Sequence, residues 1–256
     1  MEAPRTAPVF LSVVIPVYNE SARIPQTVSQ VLAYLRGRPE RCELVVVDDG
    51  STDGSADLIA AICRDFPDAR LLRHERNHGK GCAVRHGMLA AQGEYLLFSD
   101  ADLSAPIEEA ARLLEPMPRG YDVVIGSRAL RRDWIQVHQS RRRELAGSLF
   151  NWWLRLVTGL PFRDTQCGFK AFRREAARRL FALQTLDGFG FDAEILYLAR
   201  KFGYRTLEVP VHWSHAEGTK IRLLRDGLRM AGDLLRIRWN DFRGRYAAAP
   251  EDGAAK

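Results

Sequence analysis

Several short runs in this chain are apolar at nearly every position, and this constrains the fold more than any other feature. "LSVVIP" (residues 11–16), "ELVVVD" (43–48), "EYLLFSD" (94–100) and "DVVIGSR" (122–128) leave almost no polar face for solvent. A strand with one wet face alternates polar and apolar residues, whereas a strand covered on both faces does not. Between these runs, apolar residues recur at helical spacing: Ile24, Val28, Val31 and Leu35; Leu58, Ile59, Ile62 and Phe66; Val84, Met88 and Ala91. "ARLLRH" and "RTLEVPVHW" read as two more strands. Strands alternating with helices predict an α/β fold, a Rossmann-like and mostly parallel central sheet with helices on both faces.

The 256 residues, 46% of them hydrophobic, suffice for one sizeable core. The expectation is a single domain over residues 1–246, followed by a disordered tail at 247–256, "AAAPEDGAAK". Cys42, Cys63, Cys82 and Cys167 lie far apart, with no C-x-x-C pair and no histidine at zinc-like spacing. That argues against a disulfide framework or a structural zinc, and for a reducing compartment. "MEAPRTAPVFLSVVIP" lacks the apolar stretch of a signal peptide, and no segment reaches the roughly 18 uninterrupted apolar residues of a membrane span. A protein that is cytoplasmic, or peripheral on the cytoplasmic membrane face, is expected. The net charge is +6, and arginines cluster in "RALRRDWIQVHQSRRRELAG" and again over residues 222–245. Such clusters suit an anionic partner, either phosphate groups or a membrane surface, though solvated faces also carry them. No zinc finger, RNP motif or basic zipper points to nucleic acid.

In open α/β sheets ligands bind at the carboxyl ends of the strands, and the unusual residues of this sequence follow strand ends: Asp48, Asp49, Asp100, Asp102, Ser127 and Arg128. Neither G-x-G-x-x-G nor G-x-x-x-x-G-K-[ST] occurs, which disfavours hydride transfer and ATP cleavage. Asp100 and Asp102, one residue apart after a buried strand, could hold a hard divalent cation such as Mg²⁺ or Mn²⁺. Equally, Asp102 or Ser104 could cap the helix implied by "PIEEAARLL". Asp48 and Asp49 can accept hydrogen bonds from ribose hydroxyls or a base N–H, and Asp53 is either a helix cap or a ligand contact. Lys80, between Gly79 and Gly81 at a helix start, would set a cation and backbone N–H groups beside an anion.

"SVVIPVYNE", "VVVDDGSTDGS", "NHGKGCAVRHGM", "FSDADLSAP", "VIGSR" and "DTQCGFKAF" stand in the order and spacing of family 2 glycosyltransferases of the GT-A fold. The resemblance covers residues 11–220 and looks most like the dolichyl-phosphate β-glucosyltransferases among polyprenyl-phosphate glycosyltransferases. It implies a nucleotide-sugar half at about residues 10–128 and an acceptor half at about 129–240. Pro16, Tyr18, Asn19 and Glu20 match the motif that receives the nucleotide, with Asp48, Asp49, Asp53, Lys80, Asp100 and Ala101 completing the nucleotide-sugar site. Asp100 and Asp102 match the metal ligands, with Asp164 and Asp192 as further catalytic residues. Arg128, Gln166, Lys170, Lys220 and Arg222 match positions that approach the acceptor or its phosphate. For Gly168 and Phe169, ordinary turn and core packing is the expectation.

Two basic amphipathic segments bear on the acceptor. "RRRELAGSLFNWWLRLVTGLPF" places Leu145, Leu149, Trp152, Trp153, Leu156 and Val157 on one stripe, which reads as an interfacial helix or a core helix. Further on, Leu224, Leu228, Ala231 and Leu235 share a face edged by Arg222, Arg225, Arg229 and Arg236. With the resemblance, these imply an inverting, metal-dependent glycosyltransferase moving a hexose, foremost glucose from UDP-glucose, to a dolichyl or polyprenyl phosphate. The product would be a β-linked lipid phosphosugar. A GDP-mannose-dependent relative, a transferase acting on a hydroxyl, and an inactive nucleotide-sugar-binding or membrane-surface adaptor protein are the alternatives.

Overall fold

The computed structural model describes residues 7–137, 141–214 and 223–247. In chain order the elements are β1 (Leu11–Val17), α1 (Ile24–Arg36), β2 (Cys42–Asp48), α2 (Ser55–Arg64), β3 (Ala69–Arg73), α3 (Lys80–Ala90), β4 (Tyr95–Ser99), α4 (Ala110–Leu114) and β5 (Val123–Ser127). There follow β6 (Ile135–Val137), α5 (Arg141–Thr158), β7 (Phe169–Arg173), α6 (Arg174–Leu183), α7 (Phe191–Lys201), β8 (Thr206–Pro210), β9 (Trp213–Ser214) and α8 (Leu223–Phe242). The expected tail at 247–256 lies outside the described residues from position 248 on, as do Lys220 and Arg222.

Seven strands form one sheet in the order β3-β2-β1-β4-β7-β5-β8, and β6 pairs with β9 in a separate ribbon. All pairings in the large sheet are parallel except those of β7, which runs antiparallel to both β4 and β5. The mostly parallel sheet with helices on both faces is thus present. Alternate residues of each strand feed different cores. Val13, Ile15, Leu44, Val46 and Leu97 pack with Ile24, Val28 and Val31 of α1. Val14, Val45, Val47, Leu96 and Phe98 pack with Val84 and Met88 of α3 and with residues of α6 and α7. Two faces of burial explain why these strands tolerate no alternation.

Leu58, assigned to the core side of its helix by spacing, is exposed, and Ile59 and Ala56 carry the contact instead. The helix implied by "PIEEAARLL" is a single 3-10 turn running into the short α4. The two arginine-rich helices divide their apolar residues. Leu154 of α5 and Leu234 and Ile237 of α8 are buried, with Trp153 and Val157 packed against the same core. Trp152, Leu156, Leu228, Leu235, Trp239 and Phe242 face outward. The core-helix reading of the first segment therefore holds for Trp153 and Val157, while Trp152 and Leu156 of the same helix are exposed; the side chains of Leu145, Leu149 and Leu224 lie outside the described ones.

The reversed direction of β7 decides where the site forms. Carboxyl ends of the six parallel strands share one edge of the sheet, and β7 begins at that edge, so the segment before it, residues 164–168, arrives among them. α7 is anchored on the same side by Glu194, which is fully buried and accepts hydrogen bonds from the Thr185 hydroxyl (2.6 Å), the Leu186 N–H (2.9 Å) and the Tyr246 hydroxyl (2.5 Å). Tyr246, itself fully buried, ties the end of α8 to α7 through this bond. Hydrogen bonds to a charged group contribute about 1.5–3 kcal/mol. Tyr246→Phe is expected to lower stability by about that much, read as a reduced midpoint in denaturant, with the sheet unchanged by circular dichroism.

Candidate active site

Four charged groups alternate at the centre of the sheet edge. Asp100 directly follows β4, and Lys80 Nζ, from the first residue of α3, lies 2.5 Å from its Oδ1. Asp192, in the first turn of α7, accepts a 2.5 Å bond from Lys170 Nζ, which also donates to the Cys167 carbonyl at 2.5 Å. Lys170 is the second residue of β7, lies between Phe98 and Ile125, and is fully buried. A buried ammonium is tolerable only when paired and hydrogen-bonded, and Asp192 and the Cys167 carbonyl meet that need. Burial pushes the Asp192 carboxyl up, against the pull of Lys170 and Lys80. Burial works against the charge on Lys80, but Asp100, Asp192 and Asp102 outweigh it and raise its pKa, so Lys80 is a cation at neutral pH. Burial and the neighbouring Asp164 raise the Cys167 thiol to about 12, which keeps it protonated and out of the chemistry.

Gly168 closes the floor of this cluster. A Cβ on Gly168 would fall inside the van der Waals shell of the Asp100 carboxylate, so the backbone of "QCGF" approaches that carboxylate as only glycine allows. The Asp100 N–H donates to the Gly168 carbonyl at 3.1 Å. Gly168 is therefore a contact of Asp100 and not plain turn packing, whereas Phe169 is core as expected. Asp102 is exposed and accepts from the Ser104 N–H at 3.0 Å, a local turn bond and not a helix cap. The Ala101 carbonyl is held by the Thr27 hydroxyl at 2.7 Å, which fixes this turn to α1.

The residues expected to receive the nucleotide form a second, interlocked group. Pro16 lies within β1, followed by Tyr18, Asn19 and Glu20 at its carboxyl end. Asn19 adopts φ 53°, its N–H donates to Ser51 Oγ at 2.8 Å, and its side-chain oxygen accepts from the Thr52 N–H at 2.8 Å. Asp53 bridges the two loops, accepting from the Ser55 hydroxyl (2.6 Å) and the Ser21 N–H (2.9 Å). These bonds overcome the slight burial that opposes ionisation and depress its pKa strongly. Asp48, fully buried, accepts from the Ser51 N–H at 3.3 Å. Asp49 holds the approach to Lys80: its Oδ1 takes the His78 N–H (3.0 Å) and His74 Nδ1 (2.7 Å), and its Oδ2 takes the Gly79 N–H (2.8 Å). His74 Nε2 in turn meets His86 Nδ1 at 2.9 Å. Sequence spacing gave no sign of this Asp49–His74–His86 chain, because its members come from three elements.

Of the residues expected to approach the acceptor, Arg128 follows β5 and grips Asp164 bidentately, at 2.7 and 2.8 Å, while its N–H donates to the same carboxylate at 2.9 Å. Its guanidinium also lies 5.4 Å from the Trp213 ring centre. Burial opposes ionisation of Asp164, but Arg128 prevails and holds the carboxyl below its usual range. Gln166 faces α8 through Met230 at 4.0 Å, and the Asp233 carboxylate of α8 covers Gly190 at the start of α7. Asp233, which spacing did not single out, is raised by burial, against Arg229 and Arg236.

Comparison with known proteins fits this geometry. The Glycosyl transferase family 2 model matches residues 12–181, more than half of the chain. The chain belongs to glycosyl transferase family 2. Among its relatives are the dolichyl-phosphate β-glucosyltransferase of Homo sapiens, 36% identical over 92% of this chain and 77% of the relative, and that of Saccharomyces cerevisiae, 34% identical over 93% and 77%. The Dictyostelium discoideum enzyme of the same name is 33% identical over 92% and 76%. Among solved structures, mannosyl-3-phosphoglycerate synthase from Rubrobacter xylanophilus superposes with a TM-score of 0.64 at 20% identity, covering 96% of this chain and 79% of that one. Glucosyl-3-phosphoglycerate synthase from Mycobacterium tuberculosis, solved with Mn²⁺, UDP and phosphoglyceric acid, gives 0.61 at 22% identity over 96% and 81%. The fold of this family 2 glycosyltransferase is GT-A.

Two expectations follow from the site. Gly168→Ala should displace Asp100 and lower transfer by at least about 100-fold, the scale of a misplaced catalytic group, while the thermal midpoint stays near wild type; unchanged activity would show that the contact is dispensable. Asp164, with its folded pKa depressed, stabilises the protein above its unfolded pKa of about 3.9, and that contribution disappears as pH falls through the folded value. Asp164→Asn should therefore flatten the loss of stability on acidification below about pH 4, measured by denaturant titration at each pH.

Proposed function

We propose that this glycosyltransferase moves glucose from UDP-glucose to a dolichyl or polyprenyl phosphate with inversion, giving a β-linked lipid phosphosugar. The observation that carries this reading is the reach of the likeness. Relatives named dolichyl-phosphate β-glucosyltransferase match 92% of the chain, so the resemblance extends beyond residue 181, where the family model ends, into the acceptor half.

The residues present fit a divalent cation. Asp100 and Asp102 are hard carboxylate donors on one turn, and Gly168 leaves the space beside Asp100 free of side chain. Among the described residues no group of three or more His, Cys, Asp or Glu is arranged to hold a metal, so substrate oxygens and water complete such a shell. Asp100 and Asp102 would hold Mg²⁺ or Mn²⁺, which when bound supplies positive charge for the departing diphosphate. Lys80 adds a fixed cation beside the same oxygens. The turn built by Asn19, Asp48, Ser51 and Asp53 receives the nucleoside, and the Asp49-bound amides of His78 and Gly79 orient the approach to Lys80.

Attack on C1 comes from an oxygen of the acceptor phosphate, which is largely ionised above its second pKa of about 6 and has no proton to lose. Asp192 then acts as the partner that holds Lys170 in place. The acceptor's hydrocarbon chain requires a bilayer surface. The outward face of α5 and α8 suits one, with Leu228 75%, Phe242 83% and Trp152 64% exposed and Arg155, Arg229 and Arg236 on the same two helices. Among the described residues no helix is long and apolar enough to cross a membrane.

The test is transfer of labelled sugar from UDP-glucose and, separately, GDP-mannose to a short polyprenyl phosphate, with Mn²⁺, Mg²⁺ or chelator. A metal-dependent glucoside of the lipid phosphate is expected, and transfer from GDP-mannose alone would overturn the donor assignment. Asp102→Ala, at an exposed position bonded only within its own turn, should lose transfer by at least about 100-fold with an unchanged unfolding curve. Full activity in that variant would remove Asp102 from the site.

A further inference from the structure

A pocket of about 430 Å³ opens between the ends of α5, α7 and α8, and none of its lining residues belongs to the sheet-edge site. Its polar wall holds Arg200 and Lys201 from α7, Arg238 from α8 and Tyr197. Arg200 donates to the Gly159 carbonyl at the end of α5, so its guanidinium is held in place. Arg238 donates to the Tyr197 hydroxyl at 3.0 Å, and that hydroxyl donates to Asp241 at 2.5 Å. Lys201 pairs with Asp241 at 2.5 Å. Three cations therefore line the pocket while one carboxylate, Asp241, acts on Lys201 and Arg238, and among the described residues neither Arg200 nor Arg238 has a carboxylate within ion-pair distance. Burial opposes ionisation of Asp241, but Lys201 and Tyr197, with Arg238 behind them, keep its pKa low, so it stays charged and neutralises one cation only.

The rim of the pocket is apolar. Leu156 lines it and is 62% exposed, and Leu235 and Trp239, which flank Arg238 on α8, are exposed as well. A soluble anion would gain nothing from that rim, whereas an anion carrying hydrocarbon would cover it. We propose that this pocket holds the phosphate headgroup of a bilayer phospholipid, as a docking site separate from the site of the acceptor phosphate. The inference rests on the membrane-surface reading above and adds a defined ligand position to it. The geometry gives the site a use. α7 carries Asp192 in its first turn and Arg200 eight residues later, so one rigid helix spans about 12 Å between the two at 1.5 Å per residue. A headgroup gripped at its far end sets the distance and tilt of the catalytic edge relative to the bilayer.

Flotation with phosphatidylcholine vesicles, with and without phosphatidic acid, reads this directly. Any basic residue near an anionic surface contributes about 1 kcal/mol, a roughly fivefold effect, so Arg238→Gln and Arg200→Gln, which also lose the pocket contact, should each weaken binding to the phosphatidic acid vesicles by more than about fivefold. Arg243→Gln is the control: it removes the same charge from the end of the same face, where Arg243 lies over the Trp239 ring and outside the pocket. Binding of that variant should fall by no more than about fivefold. An equal loss in Arg243→Gln would reduce the effect to a diffuse field and overturn the pocket. Vesicle binding that survives both pocket variants would overturn the pocket alone, while a wild-type protein that binds no vesicle would overturn the membrane reading as well. Release by millimolar inorganic phosphate would show that the pocket takes free phosphate and not a lipid. Thermal midpoints matched to wild type are required of each variant, and Arg238→Gln should transfer sugar to a short-chain acceptor in solution at the wild-type rate; loss there would place Arg238 in the acceptor site and overturn a separate one.

Discussion

A lysine buried within an inner strand of the sheet is the constraint on which the active edge depends. Lys170 has Phe98 on one side and Ile125 on the other in a sheet whose two faces are covered. Removing one partner from such a buried pair costs about 3–5 kcal/mol, because the remaining charge has no water to turn to. Asp192 must therefore arrive at Lys170, and α7 is held there from its inner face by the Glu194 bonds to Thr185, Leu186 and Tyr246. The same strand sets Gly168 against Asp100. A single antiparallel insertion thus determines the position of both carboxylates at the heart of the site.

The parallel frame was legible in the sequence because burial on two faces leaves an unmistakable mark, the near-continuous apolar run. The antiparallel strand was not, since "FKAFR" places a lysine second in a short run of five and so lacks the near-continuous apolar mark of the others. Its pairing partners are contacts far apart in the chain, and periodicity does not encode them. In the site, Asp100, Asp102, Lys80 and Asp192 could be picked out because unusual charges follow strand ends or open helices. Gly168 was underrated: that glycine is required there is a property of the carboxylate it touches, 68 positions away in the chain. His74, His86 and Asp233 were missed for the same reason, each having meaning only through a partner on another element.

Much of the charge at the sheet edge serves to shape the site. Asp49 bonds two amides and a histidine, and so converts the chain between β3 and α3 into a fixed approach to Lys80. Asp53 and Asn19 bind two loops into one surface. Arg128 and Asp164 neutralise each other, which makes the pair a strut between the end of β5 and the segment leading to β7. α8 has two roles on opposite sides. Met230 and Asp233 reach Gln166 and Gly190 at the active edge, while Leu228, Leu235 and Trp239 face outward. Whatever α8 docks against is therefore one helix diameter, about 10 Å, from the acceptor side of the site.

The disposition of carboxylates bears on the acceptor's chemistry. A hydroxyl acceptor needs a base with a free lone pair near the anomeric carbon, and the edge offers few. Asp192 is held by Lys170, Asp164 by Arg128, and Asp49 by two amides and His74. Asp48 and Asp53 are engaged in their own turns, and Asp100 is ion-paired to Lys80. Asp102 is exposed, but its expected task is to hold the cation. Cations, by contrast, are present at the edge: Lys80 beside Asp100, and Arg229 and Arg236 around Asp233 of α8. Such an edge is suited to bringing two anions together, a leaving diphosphate and an attacking phosphate that arrives already ionised. It is poorly suited to taking a proton from an alcohol. That asymmetry, more than any single contact, favours a phosphate acceptor over a hydroxyl one.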